Sequence, residues 1–216
     1  MGVRKRYVFP PFPYYILLRL RYTHDPMANE ALPQEELKEL AKRAQDGDTE
    51  AFGKIYDVFM TPVYRYVVFR FPEELAEDLV ADIFVKAWEK IHTYKPFAGV
   101  PFSAWLFRIA RHAVIDAYRS QRGFEELSED LVDEDVENDP KTRTQRAMSV
   151  ATVKQALAKL PKDYRDVILL HYVAGLGHAE VADALRMTEG YVRILKFRGL
   201  KKLEALVPKD PSRPND

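Results

Sequence analysis

The chain has 216 residues, enough for one large domain or two small ones, each with a buried core. Its 33 basic residues equal its 33 acidic ones, yet the zero sum hides strong local segregation of charge. The absence of cysteine excludes disulfides, thiol redox switching and thiolate zinc sites, and no apolar run approaches the roughly 20 residues that cross a bilayer.

Residues 1–32 read as an N-terminal extension. Met1 to Arg6 is basic and Tyr7 to Leu18 apolar, but three prolines interrupt the apolar part and no small-residue cleavage site follows. The extension is expected to be disordered, or to precede a true start at Met27.

From Pro33 the pattern turns helical. Glu35 to Gln45 predicts a short helix that Gly47 and Asp48 end, Asp48 opening the next. Glu50 to Phe71 repeats apolar residues at helical spacing, with a break or kink expected at Pro62. Glu74 to His92 carries Leu75, Leu79, Ile83, Ala87 and Ile91 as an i, i+4 stripe, and Glu77, Asp78, Asp82 and Glu89 as an acidic face.

A loop from Thr93 to Pro101 leads into Phe102 to Arg119, FSAWLFRIARHAVIDAYR. Wound at 3.6 residues per turn, this helix puts Phe102, Leu106, Ile109, Ala113 and Ala117 on one stripe. Arg108, Arg111, His112 and Arg119 lie opposite, and Arg122 follows. Tyr94, Phe97 and Trp105 flank the cations, the arrangement in which unpaired bases stack on rings beside neutralised phosphates.

Gly123 to Pro140 holds nine carboxylates and no basic residue, with few large apolar side chains. Such a run repels itself and does not pack, so residues 123–148 are expected to be a flexible acidic linker. The expected fold is all-α, with two small helical domains at 33–122 and 149–207 and a disordered tail at 208–216.

The second domain opens with a helix from Val150 to Leu160; Pro161 starts another that reaches about Val173. Gly175 and Gly177 break the chain before a short helix, His178 to Leu185. A turn at Arg186 and Met187 follows, and Thr188 caps a longer helix ending near Leu206. Short helix, tight turn and longer helix is the helix-turn-helix order, whose second helix enters a major groove. That last helix should bury Val192, Leu195, Gly199, Leu203 and Leu206, and expose Tyr191, Arg193, Ile194, Phe197, Arg198 and Lys201. Outward Ile194 or Phe197 suits thymine methyls. The five histidines (His24, His92, His112, His171 and His178) form no metal-ligand spacing, and no phosphate-cradling glycine loop occurs. No catalytic residue, metal or cofactor is expected.

Three stretches resemble the sigma-70 family of RNA polymerase sigma factors, specifically the short extracytoplasmic-function (ECF) group that keeps regions 2 and 4. AEDLVADIFVKAW (Ala76 to Trp88) resembles the region 2.2 helix, FSAWLFRIARHAVIDAYR the region 2.3 to 2.4 helix, and Leu160 to Leu203 region 4. The match spans about Leu37 to Leu206, with only the acidic linker unpatterned.

The resemblance implies a non-enzymatic, cytoplasmic subunit that binds core polymerase, reads the −35 and −10 promoter elements and opens the duplex. Asp78, Leu79, Ala81, Asp82 and Val85 would meet the polymerase clamp coiled coil. Tyr94, Phe97, Trp105, Arg108, Arg111, His112, Arg119 and Arg122 would hold and melt the −10 element. Thr188, Tyr191, Arg193, Phe197, Arg198 and Lys201 would read the −35 element, with region 4 also meeting the polymerase flap. The linker would lie in the channel that later receives RNA, and an anti-sigma protein is a further implied partner. No direct membrane insertion is expected.

Five positions depart from the family's habits. Ala81 stands where glutamine is common, and Arg186 where glycine often occupies the turn; Tyr191 replaces a usual threonine, and Ile194-Leu195 a frequent serine-arginine pair. These leave the preferred −35 sequence open. The alternative to a sigma factor is a helix-turn-helix regulator that never binds polymerase core, and an enzyme acting on nucleic acid is a third.

Overall fold

The structure, a computed structural model, describes residues 32–96, 99–125 and 152–207. Every regular element among them is helical. The first module contains α1 (Gln34–Gln45), α2 (Thr49–Val68), α3 (Glu73–Glu89), a 3-10 turn (Ile91–Thr93) and α4 (Phe102–Glu125). The second contains α5 (residues 152–159), α6 (Lys162–Ile168), a π-helical turn (Leu169–Val173), α7 (His178–Leu185) and α8 (Glu189–Leu206). The linker expected from residue 123 begins later, since α4 runs on to Glu125; most of the N-terminal extension, residues 126–148 and the tail expected at 208–216 lie outside the described residues.

Local chemistry accounts for the helix boundaries. Gly47 adopts φ 92° in the turn after α1, and the Asp48 carboxylate accepts from the Ala51 amide to cap α2. Arg43 also donates to Asp48 through Nε (2.9 Å) and Nη2 (2.6 Å). These bonds hold the Asp48 carboxyl below the ordinary carboxylate value, the Ala51 amide contributing most. α2 runs on through Pro62 to Val68: one missing N–H costs a single ladder bond, and burial of Phe59, Val63, Tyr66 and Val67 holds the helix on both sides.

α3 corrects one expectation. Its core-facing residues are Ala76, Val80, Ile83, Phe84 and Ala87, while Leu75 is 45% exposed. A strict i, i+4 row advances about 40° around the helix per step, so Leu75 and Ile91 do not share a side. The acidic residues Glu77, Asp78, Asp82 and Glu89 are exposed as the pattern predicts.

In the second module Gly199 lets α8 lie against α6. A Cβ there would stand 3.0 Å from Ile168 Cδ1 and 3.3 Å from Tyr164 Cβ. Val192, Leu195, Gly199 and Leu203 are buried, but Leu206, in the last position of the helix, is 40% exposed.

The two modules are not held apart. α4 packs along α7, α2 touches the π-helical turn, and the buried apolar side chains of both modules form one cluster.

Candidate nucleic-acid interface

α4 buries far more than its predicted stripe. Phe102, Leu106, Ile109 and Ala113 are buried, and so are Ser103, Ala104, Trp105, Phe107, Ala110 and Val114. The helix is enclosed because α3 lies on one side and α7 on the other. Its cations therefore do not form one open face. Arg108 donates from Nε (3.0 Å) and Nη2 (2.7 Å) to the Asp183 carbonyl, and Arg111 Nε donates to Asp166 Oδ2 at 2.9 Å. His112 and Arg119 remain exposed, Arg119 standing 3.9 Å from Asp116. Arg122 falls near the end of α4, and Phe97 lies outside the described residues.

Tyr94 and Trp105 do not stand as open rings. They are 3% and 9% exposed and pack with Phe102, at centroid distances of 5.1–5.6 Å within the trio. Each satisfies its polar end indoors: Tyr94 OH donates to the Val100 carbonyl (3.3 Å) and Trp105 Nε1 to Thr93 Oγ1 (3.2 Å). Burial raises the Tyr94 phenol above its ordinary value. The Gln45 amide braces the same loop, donating to the Ile91 (2.9 Å) and Tyr94 (2.6 Å) carbonyls. In this arrangement the rings shape the floor of the loop before α4 and offer no free face to a base.

The helix-turn-helix matches its expected geometry. Gly177 precedes α7, with its amide donating to Glu180 Oε2 at 2.7 Å. Arg186 adopts φ 56° and ψ 46°, a left-handed conformation, and the Thr188 hydroxyl accepts from the Tyr191 amide at 3.3 Å to start α8. Tyr191, Arg193, Ile194, Phe197, Arg198 and Lys201 are all exposed, Phe197 at 70%. Arg193 is paired with Glu189 one turn back, at 2.6 Å. That contact is solvent-exposed and worth little, so the guanidinium is readily redirected to a phosphate.

On α3 the exposed face includes Asp78, Ala81, Asp82 and Val85, with Leu79 half-buried beneath; Asp82 pairs with Lys86 at 2.6 Å. Val85 is 55% exposed, an apolar residue inside an acidic surface. Such a face suits a partner with a basic, partly apolar helix.

Sequence reasoning did not single out four residues that join the modules. Arg70 Nη2 donates to Asp166 Oδ1 at 2.5 Å, and the Ser103 hydroxyl contacts the Glu180 carboxylate. Arg70 and Asp166 are 96 positions apart, beyond any periodicity argument. One sequence clue did exist: Asp166 stands directly before the apolar run Val167 to Leu170, where a carboxylate must find a partner.

Two helical modules, the second ending in a helix-turn-helix with an exposed cationic reading helix, define a DNA-binding protein of the transcriptional kind. The family models agree: Sigma-70 region 2 matches residues 55–124 and Sigma-70 region 4 matches residues 150–203. The chain belongs to the sigma-70 family of RNA polymerase sigma factors, in its extracytoplasmic-function group. Among curated relatives, the ECF sigma factor BldN of Streptomyces coelicolor is 33% identical, over 81% of this chain and 67% of that protein. The sigma factor CnrH of Cupriavidus metallidurans is 32% identical, over 82% of this chain and 97% of that protein. A solved structure of CnrH in complex with the cytosolic domain of CnrY superimposes with a TM-score of 0.61 at 28% identity. It covers 79% of this chain and 96% of that one. RpoE from Bartonella quintana, solved with the anti-sigma factor NepR, shares the fold at a TM-score of 0.57 and 24% identity, over 72% of this chain and 95% of that one. Among the described residues, no helix is long and apolar enough to cross a membrane.

Proposed function

We propose that this chain is a cytoplasmic specificity subunit that docks on core RNA polymerase, recognises a two-part promoter and opens it by binding energy, catalysing no bond change. Residues 33–122 serve as region 2, 149–207 as region 4, and the acidic 123–148 as the tether between them. In region 4, Thr188 sets the start of α8, and Tyr191, Arg193, Phe197, Arg198 and Lys201 meet the −35 duplex, the cations on phosphates. In region 2, Arg108, Arg111, His112, Arg119 and Arg122 hold phosphates around the −10 element. Phe97, in the loop before α4, is the ring left to stack on an unpaired base, while buried Tyr94 and Trp105 brace that loop.

Core polymerase binds Asp78, Leu79, Ala81, Asp82 and Val85 through its clamp coiled coil, and region 4 through its flap. An anti-sigma protein is a further partner in this reading: RpoE of Bartonella quintana was solved with one, and CnrH with the cytosolic domain of CnrY. The observation that carries this reading is the capped, outward-facing helix α8, with six of its polar and apolar side chains exposed on one arc.

Run-off transcription with purified core polymerase on a fragmented genomic library, followed by mapping of start sites, tests it. Specific initiation at shared −35 and −10 sequences is the expected result. Failure of the purified chain to associate with core polymerase would reduce it to a regulator that binds DNA alone.

A further inference from the structure

The junction between the modules engages two of the residues that the proposed function assigns to the −10 element, Arg108 and Arg111. Arg111 is tied to Asp166, and the Nε/Nη2 edge of Arg108 is engaged by the Asp183 carbonyl. Asp166 itself is clasped on both sides, by Arg70 at 2.5 Å and Arg111 at 2.9 Å. The side chains of Arg70 and Asp166 are 4% and 7% exposed, and Arg70 lies over the Tyr66 ring at 4.0 Å. Two guanidinium groups closing on the two oxygens of one anion is the geometry these side chains adopt around a phosphate. By contrast, the DNA-reading arc of α8 faces outward. The arrangement thus engages Arg108 and Arg111 and leaves the α8 arc free.

We propose that Asp166 is an internal stand-in for a DNA phosphate. It latches region 4 onto region 2, so that the free subunit rests in a closed state in which Arg108 and Arg111 are engaged by region 4. The inference rests on the proposed function, because it takes Arg108 and Arg111 to be DNA contacts.

The latch is suited to switching. A buried ion pair recovers in Coulomb attraction roughly what it loses in desolvation, so it specifies the closed arrangement without making it deep. Removing the carboxylate alone is different: buried Arg70 and half-buried Arg111 would be left without their anion, and opening is what rehydrates them. DNA supplies anions at high density, and its phosphates compete directly for the same two guanidinium groups. Ser103 with Glu180 and Arg108 with Asp183 align the modules around the latch.

The test uses the full chain labelled for distance measurement across the modules, with a mixed-sequence forked DNA as probe. Asp166→Asn keeps the shape and removes the charge. The expected result is a longer inter-module distance, with DNA binding at least about tenfold tighter, corresponding to about 1.4 kcal/mol. An unchanged distance and affinity in a folded Asp166→Asn chain would overturn the latch. Opening without tighter binding would keep the latch and overturn the assignment of Arg108 and Arg111 to DNA.

A second variant guards against misfolding. The chain contains no cysteine, so Ser103→Cys/Glu180→Cys introduces a single pair that can be cross-linked in the closed state. The cross-linked form should bind the forked DNA at least about tenfold more weakly than its reduced form. Equal binding by the two forms would also overturn the proposal.

Discussion

The imidazoles of His171 and His178 are stacked, with ring centroids 4.5 Å apart and planes inclined by 29°. They join the π-helical turn to the first residue of α7. The Leu176 carbonyl lies 2.8 Å from His171 Nδ1, which assigns the proton to that nitrogen, and His178 Nε2 is buried without a hydrogen-bond partner. Desolvation lowers both rings below their ordinary value, with Lys196 adding to the effect on each; Arg193 lowers His178 further and Glu189 opposes it. Each ring is therefore easier to protonate in the unfolded chain. Stability is fully present above the ordinary histidine value of 6.5 and declines as pH falls from there toward the lowered folded values. Thermal melts between about pH 7.5 and about pH 5.5 should show a falling Tm, and His178→Gln should flatten the decline. A decline equally steep in the variant would place the effect elsewhere.

Arg186 occupies a left-handed turn position at φ 56°, where an L side chain costs about 1 kcal/mol. Arg186→Gly should therefore raise Tm by about 2–4 °C in a chain of this size. A lowered Tm would mean that the arginine side chain makes a contact worth more than the strain.

The Thr188 hydroxyl starts α8 by accepting from the Tyr191 amide. Thr188→Ala should cost about 1 kcal/mol and speed hydrogen exchange at the first turn of α8. Because Tyr191 lies on that turn, affinity for −35 duplex should fall as well. Unchanged exchange at Tyr191 would show that packing alone holds the turn.

Gln45 spans from α1 to two carbonyls, at Ile91 and Tyr94. Gln45→Ala takes this donor from the Tyr94 carbonyl, while the Ile91 carbonyl keeps the Tyr94 amide, and should cost about 1–3 kcal/mol. Its second effect should be on melting of the −10 element, since those carbonyls flank the loop that leads into α4. Proteolytic nicking that rises between Ile91 and Pro101 would report it. An unaltered cleavage pattern would show that the Tyr94, Phe102 and Trp105 cluster suffices.

Asp78 and Asp82 are exposed, and the Asp82–Lys86 pair is a surface contact. Asp78→Lys/Asp82→Lys should change stability by less than about 1 kcal/mol while abolishing association with core polymerase. Retained association, measured by gel filtration with purified core, would move the docking face off α3.

The sequence alone determined the helices, most of their boundaries and the helix-turn-helix. These follow from short-range rules: apolar spacing, a capping aspartate or threonine, a glycine at positive φ. It also determined the family, because three motifs appear in order along the chain. Asp166 before its apolar run was visible too, but not its partners. The tertiary structure decided what each surface faces. Leu75 is exposed because an i, i+4 row winds away from the core. Tyr94 and Trp105 are buried because Phe102 and Thr93 give their rings and polar ends a place inside. The clasp of Arg70 and Arg111 on Asp166 was legible nowhere in the sequence. Charges that meet across 96 and 55 positions are brought together only when two whole modules pack, and local periodicity carries no trace of that encounter.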